Sequence, residues 1–199
     1  WDQRICLVPN GDLFRALRKG QASVVTDTIA RITPTGIELA SGEHLAADII
    51  VSATGLQLNA LGDIAFSVDG QAYSPAEAMT YKGMMLSDLP NVFVALGYTN
   101  ASWTLKADLT AGYVCRLLAY MAQRGYTQAV PRKDPSAQAQ PYFDFSSGYV
   151  QRAASVLPKQ GDRAPWQVHQ NYLADLLSLR WGRLEDGVMQ FTGHEKAAG

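Results

Sequence analysis

The chain has 199 residues, a length for one domain or slightly more, with the 47% apolar and 10% aromatic content of a folded globular segment. Seventeen Lys+Arg against eighteen Asp+Glu leave a formal charge of −1, which excludes the basic footprint of a nucleic-acid binder, and no apolar run of about 18 residues exists to form a transmembrane helix. Charged residues make up only 18% of the chain, against roughly 25% in soluble domains, so part of the surface is expected to be covered.

The chain opens Trp1-Asp2-Gln3-Arg4, with no initiator Met and no leader pattern, and runs at once into a short buried strand, Ile5–Val8. It therefore reads as a piece of a longer protein. Pro9-Asn10-Gly11-Asp12 forms a turn, and Leu13, Phe14 and Leu17 predict a short amphipathic helix closed at Lys19-Gly20. Strands follow at Ser23–Thr26, Ile29–Thr33 and Gly36–Leu39, and the turn signals after them make Ile29–Leu45 an antiparallel meander. Asp48–Gly55 is apolar without alternation, as in a strand covered on both faces. Residues 56–90 are irregular, with a short strand near Ala65–Val68. Asn91–Gly97 predicts a second fully buried strand, and a long helix from Trp103 to Arg124 ends at Gly125. Pro131–Pro141 reads as a linker or surface strap, and Ser147–Leu157 as a short helix. Trp166, His169, Tyr172, Leu173, Leu176, Leu177 and Arg180 mark a helical stripe, and Gln190–Gly199 a frayed end.

The unit Asn91–Arg124 carries the most chemistry. A strand ending in Gly97, a turn, and a helix amino terminus near Ser102 leave first-turn N–H groups with a partial positive charge behind them. That arrangement is either a site for an anion or dipole, or an ordinary strand-to-helix connection capped by Asn100 or Ser102. Thr54-Gly55 admits the same two readings. Neither G-x-G-x-x-G nor G-x-x-x-x-G-K-S/T occurs, so the usual phosphate cradles are missing. His44, His169 and His194 stand alone, as do Cys6 and Cys115, with no metal-ligand pattern and no CxxC. Unpaired thiols fit a reducing, cytoplasmic setting. Asp108 reads as a charge compensating the helix dipole, and Trp103, Trp166 and Trp181 as core or interface anchors. Arg4 is either a surface arginine or a cation projecting at a sheet end.

Taken together, these segments resemble class B flavoprotein monooxygenases of the Baeyer–Villiger type, and within them the ethionamide-activating FAD-containing subgroup. D-I-I-V-S-A-T-G at 48–55 is similar to their A-T-G strand, and Asn91–Trp103 to their last flavin-facing strand and helix start. W-D-Q-R-x-C-L-V-P-N-G-D-L-F at the start, Y-K-G-M-M-L-S at 81–87, L-P-K-Q-G at 157–161 and P-W-Q-V-H-Q-N-Y near residue 170 extend the resemblance almost end to end. It implies an α/β fold: the carboxyl-terminal part of a flavoprotein with two dinucleotide-binding domains, plus a β-meander and a helical extension. On that reading residues 1–47 are the tail of the NADPH-binding domain and the meander. Residues 48–130 are part of the FAD-binding domain, and 131–199 are the extension. The G-x-G-x-x-G of the FAD domain, the NADPH motif and the family fingerprint would lie upstream, in the missing amino-terminal part of the same protein.

The resemblance further implies that NADPH reduces FAD, and that a C4a-peroxyflavin inserts oxygen into a ketone or oxidises a sulfur or nitrogen heteroatom. The family arginine beside that anion falls on Arg4, where Gln3-Arg4 replaces the more usual Lys-Arg. Thr54, Gly55, Gly97, Asn100, Ala101, Ser102, Trp103 and Thr104 are the implied cofactor contacts, and no metal is implied. The isolated chain is expected to hold neither FAD nor NADPH, to show no turnover, and to self-associate through exposed strand edges. Two alternatives remain open: part of another two-dinucleotide flavoprotein such as a disulfide or ferredoxin reductase, or a non-catalytic interaction module.

Overall fold

The computed structural model describes residues 8–55, 57–143 and 147–193. The expected strand Ile5–Val8 therefore falls, except for Val8, outside the described residues, as do Arg4, Cys6 and His194. By its contacts the chain divides into two units, Trp1–Leu56 and Gln57–Gly199. Both helices and strands are present, so the chain is mixed α/β.

The first unit contains helix α1 (Asp12–Arg18) and an antiparallel sheet in the order β1 (Ile29–Thr33), β2 (Gly36–Leu39), β3 (His44–Ala46). Thr33 faces Gly36 across the two-residue loop Pro34-Thr35, which sets the register. Gly36 is required for packing as well as turning: a Cβ there would lie 2.0 Å from the Leu45 carbonyl oxygen on β3. The meander thus forms where expected.

Two predicted strands do not. Ser23–Thr26 and Asp48–Gly55 are irregular and unpaired, and Ile49 and Val51 are 82% and 83% exposed instead of buried on both faces. A strand is held by its neighbours, and no described residue supplies a ladder to either segment.

The second unit opens with two hairpins, β4 (Phe66–Val68) with β5 (Gln71–Tyr73), and β6 (Thr80–Tyr81) with β7 (Met85–Leu86). Asp69 and Gly70, both at positive φ, make the first a tight turn, and Lys82 and Gly83 do the same in the second. Helix α2 (Trp103–Arg124) has the expected bounds, with Gly125 at φ 70 as its left-handed cap. Its buried residues Lys106, Leu109, Thr110, Tyr113, Leu117 and Met121 follow the helical repeat. Asn91–Gly97, by contrast, forms no strand. Its backbone ties are Asn91 N–H to the Ala129 carbonyl and Val94 N–H to the Met84 carbonyl, at 3.1 and 2.7 Å, and the Asn91 amide donates to the Thr127 carbonyl and accepts from the Ala129 N–H. It is half-buried, again for lack of neighbouring strands among the described residues.

Beyond α2 the chain folds back on itself. Strand β8 (Tyr126–Pro131) pairs with β11 (Met189–Gly193), and β9 (Ala139–Pro141) with β10 (Lys159–Gly161). The polar stretch 131–141 is therefore bounded by ladders, and 190–193 is strand where fraying is expected. Phe191 explains this: it stacks on Tyr126 at 5.2 Å and meets Tyr120 edge-on. Helix α3 (Gly148–Ala153) is shorter than expected, and α4 (Tyr172–Leu176), continued by a π-turn (Leu177–Trp181), starts later. Trp166 cannot join that helix because it is fully buried edge-on against Tyr81. The predicted stripe docks only in part: Leu176 packs on the core, whereas Leu173, Leu177 and Trp181 are exposed and Asp175 and Leu179 point inward.

The main core of this unit takes in all five methionines of the chain, Met79, Met84, Met85, Met121 and Met189, with Tyr81, Tyr113 and Trp166. A polar cluster pins it. The Tyr81 hydroxyl donates to Asp186 Oδ2 at 2.6 Å and lies 3.2 Å from the Tyr113 hydroxyl, and Lys82 pairs with Asp186 at 3.4 Å. Arg116 donates to the carbonyls of Leu179 and Gly182 at the end of the π-turn. Among the described residues, no helix is long and apolar enough to cross a membrane.

Candidate functional site

Six of the sequence-predicted site residues, Gly97, Asn100, Ala101, Ser102, Trp103 and Thr104, come together at the start of α2. Gly97 makes the loop possible. A Cβ on it would stand 2.2 Å from Trp103 Cγ and 2.6 Å from Trp103 Cα, so only glycine lets the loop close this tightly on the helix start. Ser102 is the N-cap residue, in extended conformation, but its side chain makes no capping bond to the helix and instead lies 2.7 Å from the Thr104 hydroxyl. No acidic residue occupies the first turn, and Asp108 lies beyond it on the exposed face. No side chain caps the helix amino terminus, and its first turn holds no carboxylate, so its positive end is left open. Asn100, Ser102 and Thr104 are exposed, and Asn100 donates to a backbone carbonyl, that of Gln170, rather than capping the helix.

The segment is held from behind by residues that the sequence pattern did not single out. Lys106, one turn into α2, is buried and pairs with Asp175 of α4 at 2.6 Å, their side chains 4% and 5% exposed. The Tyr98 hydroxyl donates to the same carboxylate oxygen at 2.7 Å. Lys106 also lies over the Tyr98 ring, 5.5 Å from its centre. Burial pushes the Lys106 ammonium down from its ordinary pKa, with Asp175 opposing the shift. Burial, then the Asp175 contact, pushes the Tyr98 phenol up. Gln170 completes the arrangement: its Oε1 accepts from both the N–H and the hydroxyl of Thr99, each at 3.0 Å. The available signals were a lysine in a first turn, where the helix dipole disfavours it, and a lone aspartate inside the apolar run at 173–177.

The two carboxyl-terminal motifs dock on each other. Gln160 donates to the Pro141 carbonyl and accepts from the Val168 N–H, each at 2.9 Å, while Gly161 N–H donates to the Trp166 carbonyl. Gly161 lacks the Cβ that would stand 2.5 Å from that of Trp166. Both motif glutamines, 160 and 170, thus act as backbone clamps.

Thr54 and Gly55 lie in the other unit, on the exposed irregular segment, with Gly55 at φ 104. The His44 ring is 3.3 Å from the hydroxyls of both Thr33 and Thr35, a turn contact consistent with a structural histidine. Cys115 is free and exposed. Among the described residues, no three metal-binding side chains cluster.

No protein-family model matches the chain, and no solved structure does. Curated proteins named as FAD-binding or FAD-containing monooxygenases match nearly all of it, as a carboxyl-terminal portion of such a protein would. It is 52% identical over 193 residues to the probable FAD-binding monooxygenase AlmA of Acinetobacter baylyi, and 53% identical over 192 residues to the FAD-containing monooxygenase EthA of Mycobacterium tuberculosis. The putative FAD-containing monooxygenase MymA of the latter organism is 48% identical over 193 residues. Each alignment takes in 96% of this chain but only 39% of the relative, so the chain spans about two-fifths of the length of the curated relatives it matches.

Proposed function

We propose that the chain is the carboxyl-terminal part of an FAD- and NADPH-dependent monooxygenase of the Baeyer–Villiger type. The whole enzyme would insert one oxygen atom into ketones or oxidise sulfur and nitrogen heteroatoms. The observation that carries this reading is the 48–53% identity, along almost the whole chain, to proteins named as FAD-containing or FAD-binding monooxygenases.

The residues at the start of α2 fit a flavin. Its first-turn N–H groups carry no side-chain cap, the first turn holds no carboxylate, and Asn100–Ser102 before it are exposed. Gly97 and Asn100–Thr104 would hold the cofactor's electron-rich edge chiefly through backbone donors. Thr54 and Gly55 are kept as further cofactor contacts on the resemblance alone. FAD, when bound, supplies the oxygen-transfer chemistry, and NADPH supplies the reducing equivalents. Arg4 is our candidate for the catalytic cation: a guanidinium that stays protonated at any working pH and can face a developing anion with two donors. We assign residues 1–47 to the NADPH domain tail and meander, 48–130 to the FAD domain and 131–199 to the extension. The amino-terminal remainder would bring the phosphate cradles and the sheet partners of 48–55 and 91–97.

The test is a flavin titration followed by an NADPH-oxidation assay. The chain alone is expected to leave FAD fluorescence unchanged and to consume no NADPH. The same chain joined to its amino-terminal remainder should bind FAD and oxidise NADPH in the presence of a ketone or sulfide, and Arg4→Met should abolish product formation. Turnover by the isolated chain, or a joined protein that takes up no FAD, would overturn the proposal.

A further inference from the structure

The carboxyl-terminal segment around α4 reaches the start of α2 through side chains that the proposed reaction does not use. Gln170 Oε1 takes both donors of Thr99, its backbone carbonyl takes the Asn100 side chain, and Asp175 takes Tyr98 and Lys106 from either end of the same stretch. Every hydrogen bond from residues 98–100 described here ends on two residues, 170 and 175. Burying a carboxylate and an ammonium is costly, and an apolar pair of the same volume would hold two helices together as well. What the polar version adds is direction: it fixes where the Tyr98–Ser102 loop sits relative to the first turn of α2.

We propose that Gln170 and Asp175 are positioning residues, a latch by which the carboxyl-terminal segment holds the Tyr98–Thr104 loop in the shape that receives the flavin. The latch is a feature of this chain's own contacts, whereas its effect on flavin rests on the function proposed above. Gln170 is the residue on which to test it, because it is only partly buried and its loss leaves the core intact. In the Gln170→Ala chain, exchange of the Thr99 amide should rise about tenfold, the consequence of stranding one backbone and one hydroxyl donor, while exchange in 109–121 stays as it was. Gln170→Glu keeps an acceptor oxygen for Thr99 and should restore protection.

The second arm uses the full-length flavoprotein. There Gln170→Ala should weaken FAD binding about tenfold and shift the flavin absorption band, and Gln170→Glu should reverse both. Unchanged exchange of the Thr99 amide in Gln170→Ala overturns the latch. Faster exchange with unaltered FAD affinity and spectrum overturns its role in positioning for flavin. A wild-type full-length protein that binds no FAD instead overturns the proposed function, and the exchange result still decides the latch.

Discussion

Gly97 offers the sharpest separation between a glycine kept for folding and one kept for a ligand. The Gly97→Ala Cβ would lie 2.2 Å from Trp103 Cγ and 2.6 Å from Trp103 Cα. The indole can swing away, since Trp103 is 57% exposed. The Cα cannot, and it stands about 0.8 Å inside the ordinary contact limit of 3.4 Å. Overpacking that must be relieved by backbone movement costs about 1–3 kcal/mol. With a urea slope of about 2 kcal/mol/M, the unfolding midpoint should fall by roughly 0.5–1.5 M. Trp103→Ala in the same background removes the ring clash and leaves the Cα clash, so the double variant should recover only part of the loss. The assay is equilibrium unfolding of the chain without flavin, followed by far-ultraviolet circular dichroism. A Gly97→Ala midpoint equal to wild type would refute the steric argument and leave close approach of a ligand as the reason for the glycine.

Three further outcomes follow from the same structure. Lys106→Met should cost about 3–5 kcal/mol by leaving Asp175 buried without its cation, and Lys106→Met with Asp175→Leu should regain most of it; a single variant that loses less than about 1 kcal/mol counts against a buried pair. Burial raises the phenol pKa of Tyr73, Tyr81, Tyr98, Tyr113 and Tyr142, Tyr113 to about 12. Because the folded values lie above the unfolded value of about 10, the stability they contribute is complete below pH 10 and is lost as pH rises toward 12 and beyond. The 295 nm titration should therefore show a late phase coincident with loss of helical signal, and full ionisation of every tyrosine with structure intact would contradict this. Finally, Ile49 and Val51, exposed on an unpaired segment, should drive concentration-dependent association that Ile49→Lys with Val51→Lys suppresses; light scattering showing a monomeric wild type at high concentration would exclude it.

What was legible in the sequence was local. Helix α2 was legible because the 3.6-residue apolar repeat and Gly125, its left-handed cap, act within the segment they delimit. The meander was legible because Pro34-Thr35 and Ser41-Gly42 turn the chain between strands that pair with their immediate neighbours. Asp48–Gly55 and Asn91–Gly97 read as buried strands from their apolar runs, yet a run of that kind states only that both faces want cover. The described residues supply neither ladders nor the layers that would bury them. The helix at 166–180 failed for a different reason. Its apolar residues do repeat, but Trp166 is worth more in the methionine-rich core than in a helix turn, and the face that docks is the one bearing Asp175.

That last reversal bears on the site. Hydrophobic periodicity assigns a helix face by what it repels from water, so a face whose inward residue is a carboxylate is assigned backwards. Asp175 can point inward only because Lys106 and Tyr98 wait for it some seventy residues earlier in the chain. Neither partner has any local reason to be read as buried. Lys106 even opposes the dipole of its own helix, a conflict that makes sense only once the carboxylate is placed beside it. The expected loop residues 97–104 could be picked out from glycine, N-cap candidates and resemblance, all of which act at short range. The residues that set the shape of that loop, 170 and 175, act across the fold, and only the folded chain brings them into view.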